Sequence, residues 1–249
     1  MTQQGASKVP AVTFMFWVVK ILATTLGETG GDSLSMSANL GYLTSTLIFA
    51  MMFLAAVTVQ VKAKRFHPAL YWTTILATTT VGTTLADFAT RSIGLGYAGG
   101  SALLLLLLVF SLAIWFRSEG SIAVETVSTP RAEAFYWVTI MFSQTLGTAL
   151  GDWVADSMGM GYNGAALLFG SLLALLAVAY YFTKISRTGL FWAAFVLTRP
   201  LGAVVGDFLD KPVAQGGLAL SRYGASAALL ALIIVCLWMM PRRASQGAH

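Results

Sequence analysis

The sequence predicts an all-α integral membrane protein of eight transmembrane helices, built as four two-helix repeats that share one orientation. Two observations carry this. Of the 249 residues, 57% are hydrophobic and only 10% are charged, whereas soluble domains are about a quarter charged. The second observation is a pattern written four times. Gly27-x-x-x-Gly31-Asp32 recurs as Gly82-x-x-x-Ala86-Asp87, Gly147-x-x-x-Gly151-Asp152 and Gly202-x-x-x-Gly206-Asp207. Each Asp follows a Trp by 15 residues (Trp17, Trp72, Trp137, Trp192), and both sets step by 55, 65 and 55 residues. A repeat of this period defines the structural unit before any helix is placed.

The units cover 12–62, 68–117, 134–182 and 189–240 within a single transmembrane domain, 1–249. Each opens on an aromatic-Trp pair: Phe16-Trp17, Tyr71-Trp72, Tyr136-Trp137 and Phe191-Trp192. The Gly-x-x-x-Gly/Ala-Asp segment follows, then a Gly-Tyr turn (Gly41-Tyr42, Gly96-Tyr97, Gly161-Tyr162) and an almost purely apolar return. In the fourth unit the Tyr is Tyr223, set back by extra residues between Pro212 and Ser221. Trp to Tyr is 25 residues in the first three units, about 37 Å as a helix. That crosses a hydrocarbon core of about 30 Å and puts Trp and Tyr in the two interfacial belts. Two spans per unit keep the repeats parallel about an axis along the membrane normal, as a pseudo-fourfold ring or a duplicated 4+4. The longer central step reflects a linker, 118–133, between halves 1–117 and 134–249.

Charge placement sets orientation and excludes several function classes. The net charge is +5, and Lys8, Lys62, Lys64, Arg65, Arg117, Arg131, Lys184, Arg187, Arg242 and Arg243 all fall on one side of the predicted spans. The opposite side has Lys211, Arg222 and Arg91. The positive-inside rule then places both termini in the cytoplasm. The basic excess belongs to topology, so no nucleic acid is expected as a partner. The single Cys236 rules out a disulfide framework and a Cys-based metal site. His67 and His249 lie in a loop and at the C-terminus, and no Gly-x-Ser-x-Gly, His-Glu-x-x-His or P-loop occurs. An enzyme is not expected; a facing pair of Asp32 and Asp152 is the one hydrolytic arrangement left open.

The chemistry is concentrated on the first helix of each unit. Lys20, Thr24, Glu28 and Asp32 are spaced by four and form one polar stripe. Thr79, Thr83 and Asp87 repeat it, as do Gln144, Thr148 and Asp152, and Arg199, Ala203 and Asp207. With Trp at an interface, the position of Glu28, Thr83, Thr148 and Ala203 lies about 16 Å deep, near the midplane. A charge there costs at least about 2.5 kcal/mol. Glu28, Asp32, Asp87, Asp152 and Asp207 are therefore the candidate ion-binding residues, with Glu28 and Asp32 as the metal pair. Thr24, Thr83, Thr148, Asp156, Arg199 and Lys20 form a secondary polar set. Gly27, Gly31, Gly82, Gly147, Gly151, Gly202 and Gly206 strip one helix face for close packing. Four residues beyond the repeat Asp stand Met36, Arg91, Asp156 and Lys211. Arg91 and Lys211 are expected to pair with Asp156 or a repeat Asp, Arg199 to neutralise Asp207, and Lys20 to snorkel to the cytoplasm. Acids outnumber bases in this set, so the cluster should take up protons or bind a cation. Oxygen ligands without Cys or His favour Mn²⁺, Mg²⁺ or Ca²⁺.

Two resemblances attach to these residues. The units, of which Lys20-Ile-Leu-Ala-Thr-Thr-Leu-Gly-Glu-Thr-Gly-Gly-Asp32 is one, resemble a family of uncharacterised bacterial membrane-anchored proteins. That likeness implies a bacterial inner-membrane location and no particular activity. Glu28 to Ser33 is also similar to the Glu-x-Gly-Asp-Lys/Arg-Ser/Thr motif of manganese and calcium cation/proton exchangers, in which the Glu and Asp bind the cation. Here one extra residue separates Glu28 from Asp32, and Ser33 replaces the basic residue. Exchangers of that family have inverted repeats, unlike the parallel ones read above.

The expected function is a secondary transporter of a divalent cation, Mn²⁺ favoured, exporting it in exchange for protons. The alternatives are a cation channel with an Asp ring and a structural or sensory membrane module. No tightly bound cofactor is expected. The partners are the lipid bilayer and the transported ions, with a homo-oligomer left open.

Overall fold

The computed structural model of the protein describes residues 7–240 and 243–245. Among these, the chain forms eight α-helices, and extended pairing is limited to one bridge between Pro10 and Ala244. The helices are α1 (Phe14–Asp32), α2 (Gly41–Lys62), α3 (Pro68–Asp87), α4 (Gly96–Glu119), α5 (Pro130–Asp152), α6 (Gly161–Phe182), α7 (Arg187–Asp210) and α8 (Arg222–Met239).

Their ends follow from local chemistry. The side chains of Thr13, Thr129, Ser186 and Ser221 cap α1, α5, α7 and α8 by accepting from backbone N–H groups of the first turn. Pro68 and Pro130 open α3 and α5, where a missing N–H costs nothing. The ends of α1, α3 and α5 share a feature. Each stops at the repeat Asp and passes into a wider π turn: Ser33–Ser37, Phe88–Ser92 and Trp153–Ser157. Amides five residues on, Ala38, Ile93 and Met158, donate to the carbonyls of Ser33, Phe88 and Trp153 at 2.9 Å. The chain then reverses through left-handed residues at equivalent positions, Asn39, Gly94 and Gly159, followed by Gly41, Gly96 and Gly161. Glycine or asparagine tolerates that backbone region. In the fourth unit the Lys211 amide donates to the Asp207 carbonyl, so α7 stays α-helical to Asp210.

Packing sorts the helices into two layers. The odd helices form a closed ring in the order α1, α3, α5, α7 and back to α1. Each even helix lies outside and packs on the first helix of the next unit: α2 on α3, α4 on α5, α6 on α7 and α8 on α1. No unit is self-contained, and the fourth closes on the first.

Five helices are long and apolar enough to cross a membrane: α2, α4, α6, α7 and α8. α1, α3 and α5 fall short because they carry the polar stripe, including the Thr-rich run Thr78-Thr79-Thr80 on α3. Those stripes are buried within the ring. The outer helices instead expose apolar side chains such as Leu54, Phe110, Leu167 and Ile234.

The repeated glycines close the ring. A Cβ on Gly27 would overlap Thr79 of α3, and one on Gly82 would press Gln144 of α5. Similarly, Gly147 faces Arg199 of α7, and Gly202 faces Thr24 of α1. Thr24, Thr79, Gln144 and Arg199 occupy one repeat position, so every seam is made alike. At the close approaches, Thr79 donates to the Ala23 carbonyl (3.3 Å) and Thr24 to the Thr198 carbonyl (3.2 Å).

The Trp belt does not form as the sequence suggested. Trp72, Trp137 and Trp192 are buried, and they cluster with Phe16, Tyr71, Tyr136, Phe191 and Trp115 at one end of the ring. The reason is a cover over that end. Lys8 and Ser245 hydrogen-bond to Val127 and Val9, and the Trp192 indole donates to the Ile122 carbonyl at 2.9 Å. The chain segments around residues 7–11, 122–129 and 243–245 thus lie across the aromatic layer.

Candidate functional site

The ring interior is stacked in layers one helical turn apart. Above the aromatic layer come Lys20, Ile75, Ile140 and Phe195, all buried. Next are Thr24, Thr79, Gln144 and Arg199, then Glu28, Thr83, Thr148 and Ala203, and finally the four repeat Asp residues. Met36, Arg91, Asp156 and Lys211 stand at the open end, where Arg91 and Asp156 are exposed.

Arg199 holds the middle. Its side chain has no exposed surface, and one terminal nitrogen serves three other helices. It donates to Glu28 Oε2 at 3.0 Å, to Thr83 Oγ1 at 2.6 Å and to Thr148 Oγ1. Pro200, directly after it, has no N–H and packs its ring toward Gly147. The guanidinium therefore extends from α7 across the axis. This corrects the expectation that Arg199 neutralises Asp207: its partner is Glu28.

The Asp layer is divided into two clamps. Lys211 lies 2.7 Å from Asp32 Oδ2 and 3.0 Å from Asp207 Oδ1. Arg91 lies 3.0 Å from Asp87 Oδ1 and 3.0 Å from Asp152 Oδ2. Each base sits four residues beyond the Asp of its own unit, on the next turn, and bridges to the Asp of the following unit. Asp32 and Asp152 stand on non-adjacent ring helices and in different clamps, which separates the one hydrolytic pair considered above. Asp156 is instead at the rim, where the Tyr97 hydroxyl donates to it at 3.3 Å.

The sequence reading missed Arg222. It pairs with Asp210 at 2.6 Å and approaches Asp32 at 3.9 Å. It follows the insertion and stands before Tyr223, where the other units have Gly41, Gly96 and Gly161, so no repeated charge flags it. Lys20 also departs from expectation. It does not reach the surface; its ammonium lies 4.1 Å from the centre of the Phe195 ring.

One subset has the geometry of a ligand cluster. Carboxylate oxygens of Glu28, Asp32 and Asp207 lie within 4.8 Å of one another, and all three residues are buried. Asp32 Oδ1 has no hydrogen-bond partner among the described residues. Asp87 and Asp152 do not belong to this group, so the five predicted acids divide three and two. Beyond the clamps opens a cavity of about 510 Å³, lined by Met36, Arg91, Asp156, Tyr162, Lys211 and Arg222 among others.

The four-unit architecture has a counterpart among protein families. The family described as Repeat of Unknown Function (DUF347) matches residues 15–66, 70–121, 135–186 and 190–244, which is most of the chain. The chain belongs to this repeat family. The matched stretches each contain one inner helix, its Gly and Asp positions and the following outer helix. In the DUF347 repeat seen here, the seam glycines and the Asp are therefore parts of one unit. No curated protein and no solved structure matches the chain.

Proposed function

We propose that this protein crosses a bacterial inner membrane with all eight helices and works as a secondary transporter exchanging a divalent cation, Mn²⁺ first, for protons. The four units share one orientation about the ring axis. The outer helices meet lipid, and both termini are cytoplasmic. Polar inner helices are tolerated because their stripes face one another and not the acyl chains. The cover over the aromatic layer lies on the cytoplasmic side, and the cavity opens to the periplasm.

The observation that carries the reading is the buried triad of Glu28, Asp32 and Asp207, with oxygens within 4.8 Å, two of whose members, Asp32 and Asp207, are bridged by Lys211. Lys211 acts as a resident cation. An arriving divalent ion takes the Asp32 and Asp207 oxygens while the Lys211 side chain swings into the cavity. Protons reaching the carboxylates release the ion. Oxygen donors alone suit a hard cation. The likeness of Glu28 to Ser33 to the exchanger motif agrees with this chemistry. For export the ion enters from the cytoplasmic side, which requires the aromatic layer to part, so each cycle includes a conformational change rather than a continuous pore. The guanidinium of Arg199 on the axis argues against a channel, since a fixed positive charge there repels cations.

The test is flux of Mn²⁺, Ca²⁺ and Mg²⁺ into proteoliposomes under a pH gradient. Wild type should move at least one of them, and Glu28→Gln and Asp32→Asn should abolish movement while the protein remains folded. Failure to move any of the three would sink the transport reading. A second reading has its own observation: Arg91 closes an ion pair on the Asp layer and Arg222 closes one on Asp210 beside it, as in a purely structural lock. In that case neither wild type nor the two variants would move any of the three ions, and the substitutions would act on stability alone.

A further inference from the structure

Between the aromatic layer and Arg199 lies a set of polar groups that the cation site does not use. Lys20 is fully buried, and its ammonium has no hydrogen-bond partner among the described residues. Its repeat equivalents are Ile75, Ile140 and Phe195, so no carboxylate shares its layer. One turn toward the Asp end, Arg199 commits one terminal nitrogen to Glu28 and the threonines. Its Nε and Nη1 have no partner among the described residues, nor does either polar atom of Gln144. One turn toward the aromatic end, the hydroxyls of Tyr71 and Tyr136 bond to each other at 2.6 Å, which uses only one of their two hydrogens.

Donors therefore exceed acceptors in this stretch, and the charge does not balance. Lys20 and Arg199 bring two positive charges, and Glu28 is the one acid bonded to them. The face of Phe195 offsets part of the burial through a cation–π contact, but it accepts no hydrogen bond in the usual sense. A buried, unpaired ammonium is costly, and so is each unsatisfied donor. Water would satisfy donors without balancing charge. A monovalent anion does both.

We infer that Lys20, Arg199 and Gln144 hold a small inorganic anion, of the chloride and bromide class, on the ring axis. Small size follows from enclosure, since Ile75, Ile140 and Phe195 have no exposed surface. Monovalence follows from the single uncompensated charge. The site stands apart from the Asp clamps, meets the carboxylate cluster only through the Arg199–Glu28 pair, and does not depend on transport.

The experiment is thermal unfolding of the full-length protein in nanodiscs, with sodium chloride or bromide exchanged for sodium gluconate at constant ionic strength. The expected result is a saturable rise in midpoint with either halide and none with gluconate. Lys20→Met should raise the half-saturating halide concentration about tenfold or more, the worth of one hydrogen bond to a charged group. Gln144→Leu, which changes no charge, should raise it by a smaller factor and keeps the test open if Lys20→Met does not fold. A wild-type midpoint indifferent to halide would overturn the inference. So would an unchanged half-saturation in whichever of these variants folds.

Discussion

Arg199 makes the sharpest prediction at the scale of single residues. Among the described residues its only acidic partner is Glu28, at 3.0 Å, and both are buried. Removing one member of such a pair strands the other, at a cost of about 3–5 kcal/mol, while removing both can be close to neutral. Glu28→Gln and Arg199→Gln should each lower the unfolding midpoint strongly in the absence of added metal. The double variant should be more stable than either single one, and a double-mutant cycle of thermal unfolding measures the coupling. Additive losses would show that the two side chains act separately. The pairing itself could not be read from sequence. Spacing placed Glu28 and Arg199 on their stripes, but the reach of an arginine across the axis depends on the ring order of the helices, and that order is a tertiary fact. Arg222 escaped for a different reason: its position, before the Tyr that opens the outer helix, carries Gly in the other three units. The same limit applies to Lys20: a lysine one turn inside a Trp belt reads as a snorkelling residue until the Trp layer proves to be buried.

At the scale of elements, the four Gly-x-x-x-Gly/Ala faces act as seams and not as ligands. Gly202 meets the Thr24 side chain directly, so Gly202→Ala must push α7 from α1 and should cost about 1–3 kcal/mol, the usual penalty for overpacking. Gly99 in α4 has nothing within reach of an added Cβ. There Gly99→Ala should leave the unfolding midpoint unchanged or slightly raised, because alanine favours helix. Equal effects at the two positions would contradict the seam assignment. This part was legible in the sequence, since small residues four apart have one dominant physical use in an apolar helix. The π turns after Asp32, Asp87 and Asp152 were not, because their residues carry no propensity signal distinct from an ordinary helix end. Arg91 lies within its π turn and contacts two carboxylates from there. Lys211 reaches an equivalent position by another route, as the residue just past an α-helix that ends at Asp210, before a separate 3₁₀ turn, Val213–Gln215. The same clamp is thus built on two different backbones.

At the scale of the whole molecule, backbone and charge follow different symmetries. The inner ring closes through four similar seams, whereas the clamping bases occur only in the second and fourth units, as Arg91 and Lys211. Spacing of 55, 65 and 55 residues anticipated a duplicated pair of units, and the alternation of bases is its chemical counterpart. Glu28 breaks this twofold pattern too, since it has no acidic counterpart at Thr83, Thr148 or Ala203. Access to it depends on orientation, and orientation rests so far on the distribution of Lys and Arg. It can be measured with the natural thiol removed by Cys236→Ser and a single new one introduced. Gln215 is exposed in the turn beside the cavity, and Lys64 is exposed in the loop between α2 and α3. With a membrane-impermeant maleimide on intact spheroplasts, Gln215→Cys should label and Lys64→Cys should not until the membrane is broken. The reverse pattern would put the cavity in the cytoplasm and turn the proposed export into uptake. Labelling of both from outside would mean that the helices between them do not cross the membrane as assigned, and the parallel arrangement of the four units would fall with that result.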